Sequence, residues 1–188
     1  MPAMIAVPSP LTLDDFLRRP DIDESPAWEY IDGEAVQKIM PGGKHSRLQW
    51  RFADAINSLE GNYEAFPELR CTFGGRSIVP DIAILARNQV PTDENGEIVS
   101  TGIEFAPSWM VEILSPNQSS IKVTRKILHG LRHGCQLGTL IDPTERVVLA
   151  YRTDRIPDEL TKLDVIPCLD DIQLTITVQQ LFDWLKVR

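Results

Sequence analysis

The chain has 188 residues, of which 43% are hydrophobic and 24% charged, values typical of one soluble globular domain. Its net charge of −8 at pH 7 excludes a protein that coats nucleic acid by overall positive charge, but not a small basic cleft. No apolar run approaches the roughly 20 residues that span a bilayer, and no basic-then-apolar signal pattern opens the chain. We therefore expect a cytoplasmic protein without a membrane partner.

The first predicted elements are a short helix and a hairpin. Residues 1–10 contain three prolines and are interpreted as a loose lead-in to a single domain over residues 1–188. Thr12 followed by Asp15 is typical of a capping box, so TLDDFLRR is predicted to form a short helix. AWEYIDGEAVQKIM predicts two strands that turn at its Asp-Gly pair, because this dipeptide is a strong signal for a tight hairpin.

The middle of the chain predicts one long helix, then strands. Apolar residues at helical spacing over PGGKHSRLQWRFADAINSLEG predict a helix that stops near Gly61. EAFPEL, RCTFGG and IVPDIAIL are short apolar segments separated by Pro or Gly, and each is predicted as a strand. Residues 87–104 are polar and contain Gly and Pro, which predicts a long loop.

The last third alternates strands and helices. SWMVEILS predicts a buried strand, and residues 122–133 predict a helix with an apolar inner face. GTLID and RVVLAYR predict two further strands, the first of them central in the sheet. LTITVQQLFDWLKVR predicts a strand and then a helix capped by Thr177 and Gln180. This order predicts an α/β fold with one mixed sheet flanked by helices.

Two carboxylates interrupt otherwise apolar strands, Asp81 in IVPDIAIL and Glu112 in SWMVEILS. Burying a carboxylate costs several kcal/mol unless it is paired or bound to a metal. If the strands are neighbours, one divalent cation would offset both charges, and oxygen ligands favour Mg²⁺ or Mn²⁺ over zinc. Such an ion activates water and stabilises charge on a phosphoryl oxygen. Alternatively, Asp81 caps a turn and Glu112 lies at a strand end in water.

Basic residues on the helix that follows Glu112 are candidates for a phosphate-facing role. Lys122 and Lys126 lie one turn apart, and either lysine could orient an attacking water or balance developing negative charge. They share one helical stripe with His129 and His133, which is the best candidate for a phosphate-binding surface on this acidic chain. The alternative is a solvated helix face.

These residues resemble a known family. Pro80-Asp81 and, about thirty positions later, Glu112-Ile113-Leu114 resemble the metal-binding core of the PD-(D/E)XK nuclease superfamily. More narrowly, four segments are similar to those of a widespread bacterial family of restriction-endonuclease-like proteins, long catalogued as a domain of unknown function: WEYIDGEAV, VPDIAIL, VEILSP and LGTLIDPTERVVLAYR. His45 corresponds to the histidine that opens the first long helix of that family.

The resemblance implies a restriction-endonuclease-like fold in which Asp81 and Glu112 bind Mg²⁺ or Mn²⁺ and DNA is the substrate. The superfamily has its lysine two positions after the glutamate, where this chain has Leu114. The family has moved that lysine to the next helix, which corresponds to Lys126 here. Lys122 stands one turn earlier, where the family usually has aspartate.

Further residues are candidates for supporting roles, and the resemblance implies an assembly. The resemblance suggests that Glu29 beside the hairpin supplies another metal or water contact; the alternative is a surface charge of the hairpin. His45 at a helix start suits a neutral imidazole that hydrogen-bonds. Glu68 is either a second carboxylate of the site or an ordinary loop residue. Many proteins of this fold dimerise, so we expect a homodimer.

Three functions agree with the sequence. The leading hypothesis is a Mg²⁺-dependent endonuclease that hydrolyses DNA phosphodiester bonds with Asp81, Glu112 and Lys126. A catalytically inactive relative that binds nucleic acid or a protein partner is favoured by Lys122 in place of aspartate and by the acidic charge. A metal-dependent hydrolase of another phosphoester is the third, and the sequence does not separate it from a DNA nuclease.

Overall fold

The computed structural model describes residues 11–99 and 101–187, so the lead-in predicted for residues 1–10 lies outside the described residues. Four α-helices form within these ranges: α1 (Leu13–Leu17), α2 (Gly43–Asn57), α3 (Ser120–Arg132) and α4 (Val178–Asp183). Ten strands form in the same ranges: β1 (Trp28–Ile31), β2 (Glu34–Gln37), β3 (Tyr63–Pro67), β4 (Cys71–Phe73), β5 (Arg76–Ile78), β6 (Ile82–Ala86), β7 (Trp109–Ile113), β8 (Leu137–Asp142), β9 (Val147–Tyr151) and β10 (Asp158–Leu160).

The described strands form two sheets, so the prediction of one sheet is wrong. A six-stranded sheet has the order β10-β9-β8-β7-β6-β3, and a four-stranded sheet has the order β2-β1-β5-β4. In the larger sheet β7 and β8 run parallel and the other pairs are antiparallel, which confirms a mixed sheet. β8 lies in the interior of the sheet, as predicted.

Alternating side chains of the larger sheet enter two separate hydrophobic cores. Ile82 and Ile84 of β6 pack in a core with Phe52 of α2 and Leu181 of α4. The intervening residues of β6 point to the opposite face, where the second core includes Ile127 of α3 and residues of the smaller sheet. This is the two-residue period of a strand buried on both faces. The sheet is therefore flanked by helices on each side.

The segment IVPDIAIL was predicted as one strand, but it contributes to two. β5 ends at Ile78 in the smaller sheet, and β6 begins at Ile82 in the larger one. Pro80 lies between them, where its missing N–H removes a ladder hydrogen bond. Ile82 pairs with Val111 in antiparallel register, so the preceding residue, Asp81, comes opposite Glu112. The bend thus places both carboxylates at the junction of the two sheets.

Local sequence signals predicted several other boundaries. The hairpin turns at Asp32 and Gly33, whose φ angles are +53° and +90°, as the Asp-Gly signal predicted. Thr12 caps α1, and Thr177 forms a capping box with Gln180 at the start of α4. The strand predicted before α4 is wrong, since that segment contributes only an isolated bridge to the described structure. No helix in the described ranges is both long and apolar enough to cross a membrane.

Candidate active site

Asp81 is buried at the sheet junction, 3% exposed, and both of its carboxylate oxygens have partners. Oδ2 accepts a hydrogen bond of 2.7 Å from the backbone N–H of Ile113, the residue after Glu112. Oδ1 lies 2.9 Å from Nζ of Lys38, which follows β2. Burial alone would raise the pKa of Asp81, but the Lys38 ammonium and the His45 ring hold it below its ordinary value.

Lys38 joins Asp81 to a second carboxylate. Its ammonium donates to both carboxylate oxygens of Glu68, at 3.0 and 2.9 Å, and to the carbonyl of Val79, at 2.9 Å. The Lys38 side chain is 11% exposed, whereas that of Glu68 is 42% exposed. Burial would lower the pKa of Lys38, but the carboxylate of Asp81 leaves it above the ordinary value. Lys38 is therefore a charged, largely buried counter-ion.

One face of α2 completes this outer cluster, which comprises Lys38, His45, Gln49, Glu68 and Asp81. His45 and Gln49 lie four residues apart and so project from the same side of the helix. Nε2 of His45 is 3.4 Å from Asp81 Oδ1, and Nδ1 is 3.1 Å from Ser115 Oγ. Gln49 donates to Glu68 Oε1 at 3.0 Å and to the carbonyl of Asp81 at 2.8 Å.

An inner cluster of Glu29, Glu112 and Lys126 lies behind Asp81. Nζ of Lys126, on α3, is 2.8 Å from Glu29 Oε1 and 2.9 Å from Glu112 Oε1. Glu29 Oε1 also accepts a 2.9 Å hydrogen bond from the backbone N–H of Val79. All three side chains are buried, that of Glu112 being 2% exposed.

The inner cluster shifts the pKa values of its members. Burial raises the pKa of Glu112 to about 8, although the Lys126 ammonium opposes the shift. For Lys126, burial would lower the pKa, but the carboxylates of Glu112 and Glu29 leave it above the ordinary value. Across the two clusters, the four carboxyl groups of Glu29, Glu68, Asp81 and Glu112 face two ammonium groups. Because the pKa of Glu112 is about 8, this carboxyl is mostly protonated at pH 7, and it would have to release that proton to bind a divalent cation.

A cleft of about 480 Å³ opens onto the outer cluster. Its walls include Lys38, His45, Gln49, Glu68 and Asp81. Of the residues that line this cleft, none belongs to the inner cluster. A molecule in the cleft therefore meets Asp81 and its neighbours first, with the inner cluster behind them.

The structure brings together most of the residues predicted from the sequence. Asp81 and Glu112 lie opposite each other, and His45 lies beside Asp81. Lys126 contacts both Glu112 and Glu29. Lys122 lies apart, on the exposed side of α3, and no ion pair joins it to a carboxylate in the described ranges.

The predicted basic stripe on α3 is not a single exposed surface. Lys126 and His129 are buried, whereas Lys122 and His133 are exposed. His129 Nε2 lies 3.1 Å from the carbonyl of Phe73, and the two rings stack at 5.0 Å. The stripe is divided because this side of α3 packs against the smaller sheet.

Sequence reasoning missed Lys38 and Gln49. Lys38 lies 43 positions from Asp81 and meets it only because the chain bends between the sheets. A lone lysine after a hairpin strand carries no signal for such a contact. Glu68 was considered as a site residue, and its contact with Lys38 places it in the outer cluster.

Comparison with known proteins identifies the family. The model of the Uma2 family, described as "Putative restriction endonuclease", matches residues 13–181. The crystal structure of "a putative nuclease belonging to DUF820" from Anabaena variabilis matches with a TM-score of 0.89 and 44% sequence identity, covering 94% of this chain and 100% of that chain. No curated protein matches. These matches support the interpretation of this protein as a nuclease and confirm the predicted restriction-endonuclease-like fold. The chain belongs to the Uma2 family of putative restriction endonucleases.

Proposed function

We propose that this protein is a Mg²⁺-dependent endonuclease that hydrolyses DNA phosphodiester bonds. The observation that carries the proposal is that two carboxyl-rich clusters meet at the sheet junction, the outer one in the wall of an open cleft and the inner one buried behind it. The similar solved structure, described as that of a putative nuclease, supports the reaction class. DNA as substrate, a homodimer and a cytoplasmic location stay predictions.

The residues at the sheet junction fit a hard divalent cation. Oε1 of Glu112 is buried and lies 2.9 Å from the ammonium of Lys126, with which it forms an ion pair. Asp81 and Glu112 would hold the ion, since carboxylate oxygens are the ligands that Mg²⁺ and Mn²⁺ prefer. When bound, the ion would supply charge stabilisation at a phosphoryl oxygen and activation of a water.

The remaining residues would position and balance these two acids. Lys126 keeps a fixed positive charge against Glu112, which favours the ionised carboxylate that a cation requires. Glu29 also pairs with the ammonium of Lys126, at 2.8 Å, and so helps to hold it beside Glu112. The backbone N–H of Ile113 holds the carboxylate of Asp81 at the end of β7, next to Glu112 in the chain. Lys126, and not the exposed Lys122, would therefore be the functional lysine.

A catalytically inactive protein that binds nucleic acid or a protein partner is the competing candidate. The observation that favours it is that each acid already has a lysine at 2.9 Å, so the acids are paired without an ion. Such a protein would bind its partner with no need for metal and would release no product.

Cleavage of supercoiled plasmid tests the proposal. With Mg²⁺ present, we expect the wild type to nick the plasmid, and Asp81→Asn and Glu112→Gln to lose nicking by orders of magnitude. Asp158→Asn and Glu159→Gln are matched controls, since they make the same changes at exposed positions of the edge strand β10. Full activity in Asp81→Asn, or activity of the wild type that survives chelation of all metal, would contradict the proposal.

A further inference from the structure

His45 has a buried ring nitrogen without a hydrogen-bond partner. The side chain is 7% exposed, and Nε2 makes no hydrogen bond to any described residue. Its neighbour Oδ1 of Asp81 is 3.4 Å away, beyond the usual length of a hydrogen bond to nitrogen. Buried polar atoms in proteins are nearly always satisfied, and this long contact with Asp81 leaves Nε2 available to a closer ligand.

The other ring nitrogen is held in the manner of a metal-binding histidine. Nδ1 lies 3.1 Å from Oγ of Ser115. A bound cation would favour the tautomer with the proton on Nδ1, donated to this hydroxyl, and would take the lone pair of Nε2 beside Asp81. Metal-binding histidines use their second nitrogen in this way, because the hydrogen bond fixes both the tautomer and the ring orientation.

A third ligand atom is close by. Atoms of His45, Glu68 and Asp81 that can bind a metal all lie within 4.8 Å of one another, a spacing that one ion can span. The ammonium of Lys38 lies between the two carboxylates, 2.9 Å from each. A cation therefore already lies at this position, carried on a flexible four-carbon stem that can withdraw.

We propose that His45 Nε2, Glu68 and Asp81 form a second cation site, which takes a divalent transition-metal ion such as Mn²⁺ in exchange for the ammonium of Lys38. An imidazole nitrogen among carboxylate oxygens shifts the metal preference of a site from Mg²⁺ toward transition metals. The three residues line the cleft, and Glu68 is the most exposed of them, so an ion can enter from solvent. The site shares Asp81 with the proposed nuclease site but does not depend on cleavage.

Pulsed electron paramagnetic resonance with Mn²⁺ alone tests the second site. We expect the wild-type spectrum to show coupling of Mn²⁺ to an imidazole ¹⁴N, and His45→Gln to remove that coupling. Glu68→Gln should weaken Mn²⁺ binding by about tenfold or more, as loss of metal-site residues does. Lys38→Met should strengthen binding, because no tethered ammonium then competes. Glu159→Gln, with the same chemical change on exposed β10, should bind as the wild type does.

The outcomes separate this proposal from the nuclease proposal. A wild-type spectrum without nitrogen coupling, or unchanged Mn²⁺ affinity in both Glu68→Gln and Lys38→Met, would overturn the second site and leave plasmid nicking unaffected. Nitrogen coupling that survives in Glu112→Gln would support a site distinct from the one at Glu112. Nitrogen coupling without any nicking by the wild type would support the second site while contradicting the nuclease. The wild-type spectrum requires no variant to fold, and circular dichroism checks the folding of each variant.

Discussion

Replacing Lys126 by methionine tests the electrostatic balance of the inner cluster. The change keeps most of the apolar stem but removes the ammonium that pairs with Glu29 and Glu112, both of which are buried. Removing one partner of a buried ion pair costs about 3–5 kcal/mol, because the other charge stays buried and unpaired. We expect a loss of stability at the lower end of this range, about 3 kcal/mol at pH 7, because the carboxyl of Glu112 has a raised pKa and can be protonated rather than left as an unpaired charge.

Urea denaturation in the presence of a chelator measures this loss. The matched control is Lys122→Met, the same substitution one turn earlier on α3 at an exposed position, which should change stability by no more than about 0.5 kcal/mol. Adding Glu112→Gln to Lys126→Met should restore part of the lost stability, since it removes the uncompensated carboxyl. If Lys126→Met costs no more than Lys122→Met, the reasoning about the inner cluster is wrong.

Three further predictions follow from the site and the fold. First, the pKa of Glu112 is raised in the folded state from 4.5 to about 8, so the free energy of unfolding of the wild type should fall as pH rises through this window. Urea titrations from pH 5 to 9 should show this fall in the wild type and not in Glu112→Gln; the same pH dependence in both proteins would contradict the shift. Second, Ser115→Ala should lower Mn²⁺ affinity by about 10–100-fold by calorimetry, since it frees the ring of His45, while Ser120→Ala on the exposed start of α3 should not; equal affinities would contradict the role of Ser115. Third, Gly138→Ala should destabilise the fold by about 1–3 kcal/mol in thermal denaturation, because the added Cβ would overlap the side chain of Ile127. The control Gly61→Ala adds a Cβ in open space and should not show this loss; unchanged stability of Gly138→Ala would mean that α3 can move away from β8.

Local patterns in the sequence explain how much of the fold could be predicted. The hairpin, α2, α3 and the cap of α4 each have a signal within a few residues: an Asp-Gly pair, helical apolar spacing or a capping box. β10 was missed because a three-residue polar edge strand has no such signal. The division into two sheets was missed because it depends on the bend at Pro80, and a proline in an apolar run does not say which partner each half will pair with.

The candidate site shows the same limit. Asp81 and Glu112 were found because charge in an apolar strand is conspicuous, and the family resemblance singled out Lys126, Glu29 and His45. Lys38 was not found, although it is the closest counter-ion of Asp81. Its position depends on contacts across 43 residues, which only the folded chain defines. The burial of Asp81 is thus offset in this structure by a lysine that the sequence did not reveal.

Calorimetric titration with Mn²⁺ is the most direct test of the central claim that buried carboxylates at the sheet junction hold a divalent ion. We expect the wild type to bind Mn²⁺ and the double variant Asp81→Asn, Glu112→Gln not to bind it. The double control Asp158→Asn, Glu159→Gln, which makes the same two changes on exposed β10, should bind as the wild type does. A wild type that binds no Mn²⁺, or a double variant that binds it unchanged, would show that these acids are structural and contradict the account.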